Sequence, residues 1–240
     1  MRWPKRHHFD PDEMSPLEFF ETLAKLLFDL PEVISAVGAP LYRGRMFATE
    51  PDLTEHSVST LGPVPSHMAR ANRMSPAGIS MFYGADDVDT AIAEIGAHSS
   101  DSWAVIAQFN AARELRVVDL SNLPCLPSIF VTGEDARTRY ESIQFLHRFV
   151  EDLTLPVVLD GREHIEYVPT QVFTEYLRYS FPARLDGLVF PSAQGLGRNV
   201  VIFYGPDFCS SSDDVGPYTR LILDPASIRK YRVTTVIKDR

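Results

Sequence analysis

The sequence is poor in cysteine and in long hydrophobic runs, and it has fewer basic than acidic residues. Its two cysteines, Cys125 and Cys209, are too few for a disulfide framework, so a reducing cytoplasm is the expected location. No run of about eighteen apolar residues occurs, which argues against a transmembrane helix. Residues 1–10 are basic but lack the apolar core of a secretory signal. The sequence therefore predicts a cytoplasmic protein that does not insert into a membrane.

The charge balance argues against a nucleic-acid partner. The formal net charge is −9, with 32 acidic residues against 23 lysines and arginines. A nucleic-acid-binding domain normally presents a basic face, so direct binding to nucleic acid is not expected. In an acidic chain, a local group of arginines becomes more informative. No CxxC, HExxH or Walker-type glycine loop occurs, so neither a metal site nor a phosphate-binding loop is predicted.

The length suits one large domain or one domain with an extension. The chain has 240 residues, 45% of them hydrophobic, which is enough to bury a core. Residues 1–38 are expected to form an arm and an amphipathic helix, and residues 39–240 the main domain. The helix is predicted over Pro16–Leu30, with Ser15 as N-cap and apolar residues recurring every three or four positions. It can pack on the domain or on a partner, and packing on the domain is favoured.

Helices and strands follow one another beyond residue 38 without regular alternation, which indicates an α+β fold. Trp103–Phe109 and Leu115–Leu120 are separated by a short polar segment and are expected to pair. Glu50–Met68, rich in proline and hydroxyl residues, is expected to be a long loop. The other predicted elements are strands at Pro40–Phe47, Ile79–Tyr83, Leu188–Phe190, Asn199–Tyr204, Leu221–Leu223 and Tyr231–Ile237, and helices at Glu134–Asp152 and Thr170–Tyr179.

One stretch, Arg73–Glu94, organises the functional argument. A turn-forming opening leads to the apolar strand Ile79–Tyr83, and Asp86 or Asp87 then caps a helix. The apolar face of that helix is predicted from Val88, Ala91, Ile92 and Ile95. Glu94 lies at the flank of this face. A loop, a strand end and a helix flank of one strand-to-helix unit can hold three polar groups around one cleft.

Spacing alone does not separate a functional from an ordinary role for these residues. Glu94 fits a solvated helix flank, and Tyr83 fits a core aromatic at a strand end. Arg73 and Arg43 fit surface charges that pair with the many acidic residues. Ser192 fits a turn hydroxyl.

The stretch RMSPAGISMFYGADDVDTAIAE resembles the signature of the RES domain, which is named after its Arg, Glu and Ser. Two further blocks match in the family order, EYVPTQVFTEYLRYSFPARLDGLVFPSAQGLGRNVVIF at Glu166–Phe203 and, more weakly, LYRGR at Leu41–Arg45. The resemblance implies an ADP-ribosyltransferase-like mixed β-sheet core with flanking helices. It also implies an activity that degrades NAD. Many members are toxins of toxin–antitoxin pairs, so a cognate antitoxin is an expected partner, while homo-oligomerisation is left open.

The resemblance selects Glu94, Tyr83 and Ser192 as catalytic candidates. Cleavage of the nicotinamide–ribose bond releases a neutral ring and leaves an oxocarbenium-like ribose, as in glycoside cleavage. A fixed carboxylate near that ribose stabilises the developing charge, and Glu94 is expected to supply it. Tyr83 is expected to stack on the nicotinamide or its ribose. Ser192 is expected to bond to the nicotinamide side or to the ribose.

Arginines are the expected binding residues, because their planar guanidinium suits a pyrophosphate. Arg43 and Arg73 are the expected clamps, and only one residue of the pair Arg43 and Arg45 is expected to be critical. Gly195–Gly197 does not complete a Rossmann fingerprint, so NAD is expected to be a consumed substrate and no cofactor is predicted. Water and inorganic phosphate remain equal as acceptors. Two alternatives stay open, an ADP-ribosyltransferase acting on a protein or small molecule and a non-catalytic NAD-binding module.

Overall fold

The computed structural model describes residues 24–27, 34–37, 40–97, 99–128, 130, 133–154, 166–195 and 197–234. Residues 24–27 are helical and fall inside the helix predicted over Pro16–Leu30, whose other residues lie outside the described ranges. Ala24 and Leu27 are buried in the main hydrophobic cluster. This turn therefore packs on the domain, which is the favoured of the two alternatives. The predicted boundary between residues 38 and 39 stays a prediction.

The described strands form one mixed sheet. Its order is β1-β5-β6-β7-β3-β2-β4-β9-β8. The pairs β5/β6 and β8/β9 are parallel, and the other neighbours are antiparallel. The strands are β1 (Ile34–Val37), β2 (Leu41–Phe47), β3 (Phe82–Ala85), β4 (Trp103–Ala111), β5 (Leu115–Asp119), β6 (Gly187–Pro191), β7 (Arg198–Ile202), β8 (Cys209–Ser211) and β9 (Leu221–Arg232).

Besides the helical turn at residues 24–27, four helices of the described chain flank this sheet: α1 (Val58–Leu61), α2 (Val88–Gly96), α3 (Glu134–Thr154) and α4 (Val168–Tyr179). None of the described helices is long and apolar enough to span a lipid bilayer. Helix α2 begins where the sequence predicts, because Asp87 accepts a hydrogen bond from the Thr90 amide at 2.8 Å. The α+β fold with a mixed sheet and flanking helices is confirmed.

The predicted pairing of Trp103–Phe109 with Leu115–Leu120 is wrong. Strand β4 lies between β2 and β9, so both of its edges are occupied, whereas β5 lies between β1 and β6. The short polar segment between them has the length of a hairpin connection, but long-range pairing determines the neighbours. The expected single loop over Glu50–Met68 is also interrupted, since it contains α1 and two 3-10 turns.

The first predicted late strand, Leu221–Leu223, and the start of the second, Tyr231–Ile237, belong to one continuous strand, β9, which ends at Arg232. Residues 235–237 lie outside the described ranges. Pro225 lies within β9 and has no amide hydrogen to donate. The ladder to β4 shifts register there, between Ile106 and Gln108. The Ser227 hydroxyl fills the gap by accepting from the Gln108 amide at 2.8 Å. A proline that marks a break in the sequence pattern thus marks a bulge in the sheet.

Hydrophobic clusters cover both faces of the sheet. Val118 and Leu188 pack with α3 and α4 on one face, while their neighbours Val117 and Val189 pack with β4 and β9 residues on the other. Helix α2 packs through Ala91 against β3 and β4, on the same face as α3 and α4. Helix α2 therefore covers one part of this face, and α3 and α4 cover another part. The central strands lie beneath the space between them.

Candidate active site

A cleft of about 360 Å³ opens on the face that carries the helices. Its lining includes residues of β6, β7, β3 and β2, which are four consecutive strands in the middle of the sheet. Ala91, Glu94 and Ile95 of α2 form one wall. Leu153 and Thr154 at the end of α3 and Tyr167 before α4 contribute to the lining from the other helices. A volume of this size is typical of a site for a small molecule.

Glu94 enters the cleft from the flank of α2, as the helical spacing predicts. Its Oε1 atom accepts two hydrogen bonds, from Ser192 Oγ at 2.5 Å and from Asn199 Nδ2 at 2.7 Å. No residue of the described chain donates to Oε2, and none forms an ion pair with this carboxylate. Within the described part of the chain, Glu94 is therefore fixed through one oxygen and has no ion-pair partner.

Ser192 supports Glu94. Its hydroxyl donates to the carboxylate and accepts from the amides of Gln194 and Gly195 at 3.0 and 3.1 Å. Both lone pairs of Oγ are thus occupied, which leaves none for nucleophilic attack. Ser192 itself is absent from the cleft lining, whereas its neighbour Ala193 is present. In this structure Ser192 acts through Glu94, and its predicted bond to a substrate stays a prediction.

The segment from Ser192 to Arg198 is attached to the start of α2. Arg198 Nε and its amide donate to the two oxygens of Asp86, each at 2.7 Å. A Cβ atom at Gly197 would overlap Asp87 Oδ2 and Thr90 Oγ1, so only glycine permits this close approach. The N-terminal turn of α2 therefore holds the loop that carries Ser192, while Asn199 follows in β7.

Tyr83 lies on β3 at the floor of the cleft, and its hydroxyl is 2.8 Å from Ser75 Oγ. Burial raises the pKa of this phenol to about 12, and the hydrogen bond with Ser75 offsets part of the effect. The phenol therefore stays protonated at neutral pH. It can offer a ring face or a hydrogen bond to a ligand, but it cannot act as a general base.

Arg73 lies on the opposite side of the cleft from α2. Its Nη1 donates to the carbonyl of Leu153 at the end of α3, and its own carbonyl accepts from Thr170 Oγ1 in α4. Burial lowers the pKa of the guanidinium, and electrostatic interactions with Tyr167 and Glu94 act in the opposite direction. Arg73 thus links two helices and places a cation within electrostatic reach of Glu94.

Arg43 spans the point where β2 and β3 diverge, since these strands share a single residue pair at Tyr42 and Ala85. Its guanidinium donates to the Tyr83 carbonyl at 2.6 Å and to the carbonyls of Leu61 and Gly62 at 3.0 and 3.4 Å. Burial, followed by the nearby Arg45, lowers its pKa to about 10, so it remains charged at neutral pH.

The two arginines of β2 differ in position. Arg43 borders the cleft, whereas Arg45 is not part of its lining. Arg45 donates to the Gly62 carbonyl at 3.2 Å, and its Nε is buried without a partner among the described residues. The structure therefore brings Arg43, Arg73, Tyr83 and Glu94 to one cleft, places Ser192 behind Glu94, and leaves Arg45 outside. Which arginine is critical for binding stays a prediction.

The sequence interpretation overlooked Asn199 and Tyr167. Asn199 pairs with Ala85 on one side and Phe190 on the other, at the centre of the sheet. An asparagine in an apolar strand was the available signal, because β-strands are depleted in this residue. Tyr167 lies in the block Glu166–Phe203 that resembles the RES domain, but no helical or strand periodicity in the sequence singles it out. No group of three or more potential metal ligands occurs among the residues that the structure describes.

Comparison with known proteins places this cleft in a family context. No curated protein matches the chain. One similar solved structure is the crystal structure of the M. tuberculosis MbcT-MbcA toxin-antitoxin complex; it shares 13% identity with a TM-score of 0.45, over 89% of this chain and 93% of that chain. The model of the RES domain matches residues 48–224, a span that contains Arg73, Tyr83, Glu94 and Ser192 and begins after Arg43 and Arg45. Because this match covers well over half of the 240 residues, the chain belongs to the RES domain family.

Proposed function

We propose that this protein is an enzyme that cleaves the nicotinamide–ribose bond of NAD, by hydrolysis or by phosphorolysis. The observation that carries the proposal is the single cleft that contains Arg73, Tyr83 and a Glu94 fixed through one oxygen. This is the combination that the RES resemblance implies for NAD degradation. NAD would be a consumed substrate, and phosphate would be a second substrate only in phosphorolysis.

The chemistry needs a negative charge beside the ribose more than it needs an acid. Nicotinamide departs as a neutral ring, so the leaving group requires no strong proton donor. The positive charge that develops on the ribose is stabilised by a carboxylate whose position is set before the reaction. Glu94 meets this requirement, because two donors fix it and no cation of the described residues forms an ion pair with it.

The cations of the cleft suit the other half of the substrate. The pyrophosphate of NAD carries two negative charges, and Arg73 and Arg43 both border the cleft. Each guanidinium offers five N–H groups in a fork, which allows bonds to a phosphate in addition to those to carbonyls. Tyr83 provides a protonated phenol and a ring face at the floor, suited to the nicotinamide or its ribose.

The proposal includes a biological role: the enzyme acts as the toxin of a toxin–antitoxin pair. Many RES domain proteins have this role, and depletion of NAD stops growth. The partner would be a cognate antitoxin that covers the cleft, and the site of action would be the cytoplasm. Expression in bacteria is expected to lower cellular NAD and arrest growth. Normal NAD at high expression of folded protein would contradict the toxin role.

The purified protein is tested by incubation with NAD. Free nicotinamide with ADP-ribose indicates hydrolysis, and ADP-ribose-1″-phosphate formed only with added phosphate indicates phosphorolysis. Label transferred from NAD to components of a cell lysate indicates an ADP-ribosyltransferase. Binding of NAD without turnover in any arm would overturn the enzyme proposal and favour a binding module. The matched control is Glu175→Gln, which removes a glutamate of α4 outside the cleft lining and should retain parent activity.

A further inference from the structure

We propose that Asn199 is a positioning residue that, together with Ser192, holds Oε1 of Glu94 so that Oε2 is the oxygen presented to the substrate. This inference rests on the proposed NAD-cleaving function and deepens it, because it says which atom of the carboxylate faces the reaction. It starts from one contact, the 2.7 Å hydrogen bond from Asn199 Nδ2 to Glu94 Oε1.

Both donors of the carboxylate act on the same oxygen. Ser192 Oγ lies 2.5 Å and Asn199 Nδ2 lies 2.7 Å from Oε1, and each carboxylate oxygen has two lone pairs. Oε1 is therefore saturated. Rotation of the carboxylate about its last torsion, which is normally broad, would break both bonds at once. The pair of donors thus selects one orientation, and Oε2 is the atom that remains available in the cleft.

The two donors come from differently built elements. Asn199 stands in β7 between β3 and β6, so its backbone is held on both sides by ladder hydrogen bonds. Ser192 lies in the loop that Asp86 and Gly197 attach to α2. Asn199 supplies the rigid reference because a central strand moves less than a loop. A site built on such an element keeps its geometry without help from a ligand.

The neutrality of both donors is consistent with this role. An arginine or lysine at either position would orient the carboxylate equally well but would cancel its charge. An amide and a hydroxyl fix the geometry and leave the charge for the ribose. The contact between Glu94 and Asn199 therefore fixes the carboxylate without neutralising it, which an ion pair could not do.

The test uses Asn199→Asp, which preserves the shape and replaces the donor by a second carboxylate. Two neighbouring carboxylates repel each other, which raises one of their pKa values, so the pair is doubly charged at higher pH and takes up one shared proton as pH falls. Where both are ionised, Glu94 has lost a donor and gained a repelling neighbour. At neutral pH kcat for NAD cleavage should fall about a hundredfold with KM nearly unchanged, the scale of losing one preorganised contact. As pH is lowered, protonated Asp at position 199 again donates to Glu94, so the ratio of variant to parent activity should rise. A purely structural role would produce no such recovery.

Asn199→Ala is the second variant, because it removes the donor without adding charge. We expect kcat to fall about tenfold, the equivalent of one hydrogen bond, with KM nearly unchanged. Combined with Ser192→Ala, the losses should not simply multiply, since both donors act on the same oxygen and are therefore coupled. Asn110→Ala is the control, because Asn110 lies in β4 of the same sheet outside the cleft lining and bonds to Gln108. Melting temperatures of all variants show whether the fold is intact.

The outcomes separate this inference from the function on which it rests. Full turnover by both Asn199 variants in the presence of an active parent overturns the positioning role alone. A raised KM with unchanged kcat also overturns it and makes Asn199 a substrate-binding residue. Losses that multiply with Ser192→Ala overturn the shared oxygen. If the parent does not turn over NAD at all, the proposed function fails first and this inference fails with it.

Discussion

Two carboxylates at opposite ends of the β6 and β7 pair show how the same group is used in different ways. Asp186, just before β6, is 2% exposed. Its Oδ1 accepts from Arg113 Nη2 at 2.6 Å and from Tyr204 OH at 2.5 Å, and its Oδ2 accepts from the Arg116 amide at 3.0 Å. Glu94, at the other end, accepts from neutral donors on one oxygen only, among the residues that the structure describes.

The difference separates a structural carboxylate from one that is available for chemistry. Asp186 has both oxygens occupied and its charge paired with Arg113, so nothing remains for a ligand. Glu94, a residue of the cleft lining, is held through Oε1 alone, and no cation of the described chain forms an ion pair with it. The distinction does not depend on the number of hydrogen bonds, but on which oxygen they occupy and on whether the donors carry charge.

The largest expected effect is on Glu94. In Glu94→Gln the remaining carbonyl oxygen can keep the bonds from Ser192 and Asn199, so the charge disappears while the geometry is retained. Loss of a preorganised electrostatic contact costs roughly 3–4 kcal/mol, or about a hundredfold to a thousandfold in turnover. NAD binding and the melting temperature should stay near those of the parent, because Gln has a similar helix propensity. Turnover above about a tenth of the parent rate would show that Glu94 is not the catalytic carboxylate.

Asp186→Asn should show the reverse pattern, with a loss of stability and little change in turnover. Hydrogen bonds to a charged group contribute roughly 1.5–3 kcal/mol, so the free energy of unfolding should fall by about this amount at neutral pH. Chemical denaturation measures the change, and kcat on NAD provides the contrast with Glu94. A stable variant with lost activity would abolish the proposed distinction between the two carboxylates.

The pH dependence of Asp186 follows from its environment. Burial alone would raise the pKa of this carboxyl, but the bonds from Tyr204, Arg116 and Arg113 outweigh burial and lower it. The folded state therefore binds a proton less readily than the unfolded state, in which the pKa is about 3.9. The stabilisation is fully present above that value and is lost as pH falls through the lower, folded value. The difference in stability between parent and Asp186→Asn should accordingly shrink in acid.

The smallest effect is expected for Tyr204→Phe. This change removes one of two donors to Asp186 Oδ1 and leaves Arg113 in place. The loss should lie at the low end of the roughly 1.5–3 kcal/mol of a hydrogen bond to a charged group, because Arg113 and the Arg116 amide still bind Asp186. The ring that packs against Phe208 at 4.9 Å also remains. Thermal unfolding should show a modest decrease, with unchanged NAD turnover. An effect larger than that of Asp186→Asn would mean that Tyr204 stabilises the fold by some other contact.

Local patterns predicted a large part of this site. The cap at Asp87, the apolar face of α2 and the flank position of Glu94 depend on residues within a few turns of one another. For that reason helical spacing and one capping residue suffice to place them. Strands β6 and β7 were predicted in the same way, because both are short apolar runs, although their antiparallel pairing was not predicted.

The remainder depends on contacts between distant segments. Asn199 and Glu94 are 105 positions apart in the sequence, and no local pattern near either residue predicts their hydrogen bond. The same holds for β4, whose edges are taken by β2 and β9 while its sequential neighbour β5 lies elsewhere in the sheet. Local turn chemistry predicts that a chain reverses direction, but the neighbours of a strand are chosen by the burial of both faces.

The order of the strands has a consequence for the motions of the molecule. The four strands that border the cleft occupy the middle of the sheet, whereas β1 and β8 are its edges. Backbone amides of central strands exchange with solvent last, because they open only with the whole domain, while edges fray at little cost. The distances between the residues around Glu94 are thus retained when an edge strand opens locally. Inactivation on heating should then coincide with global melting and not precede it.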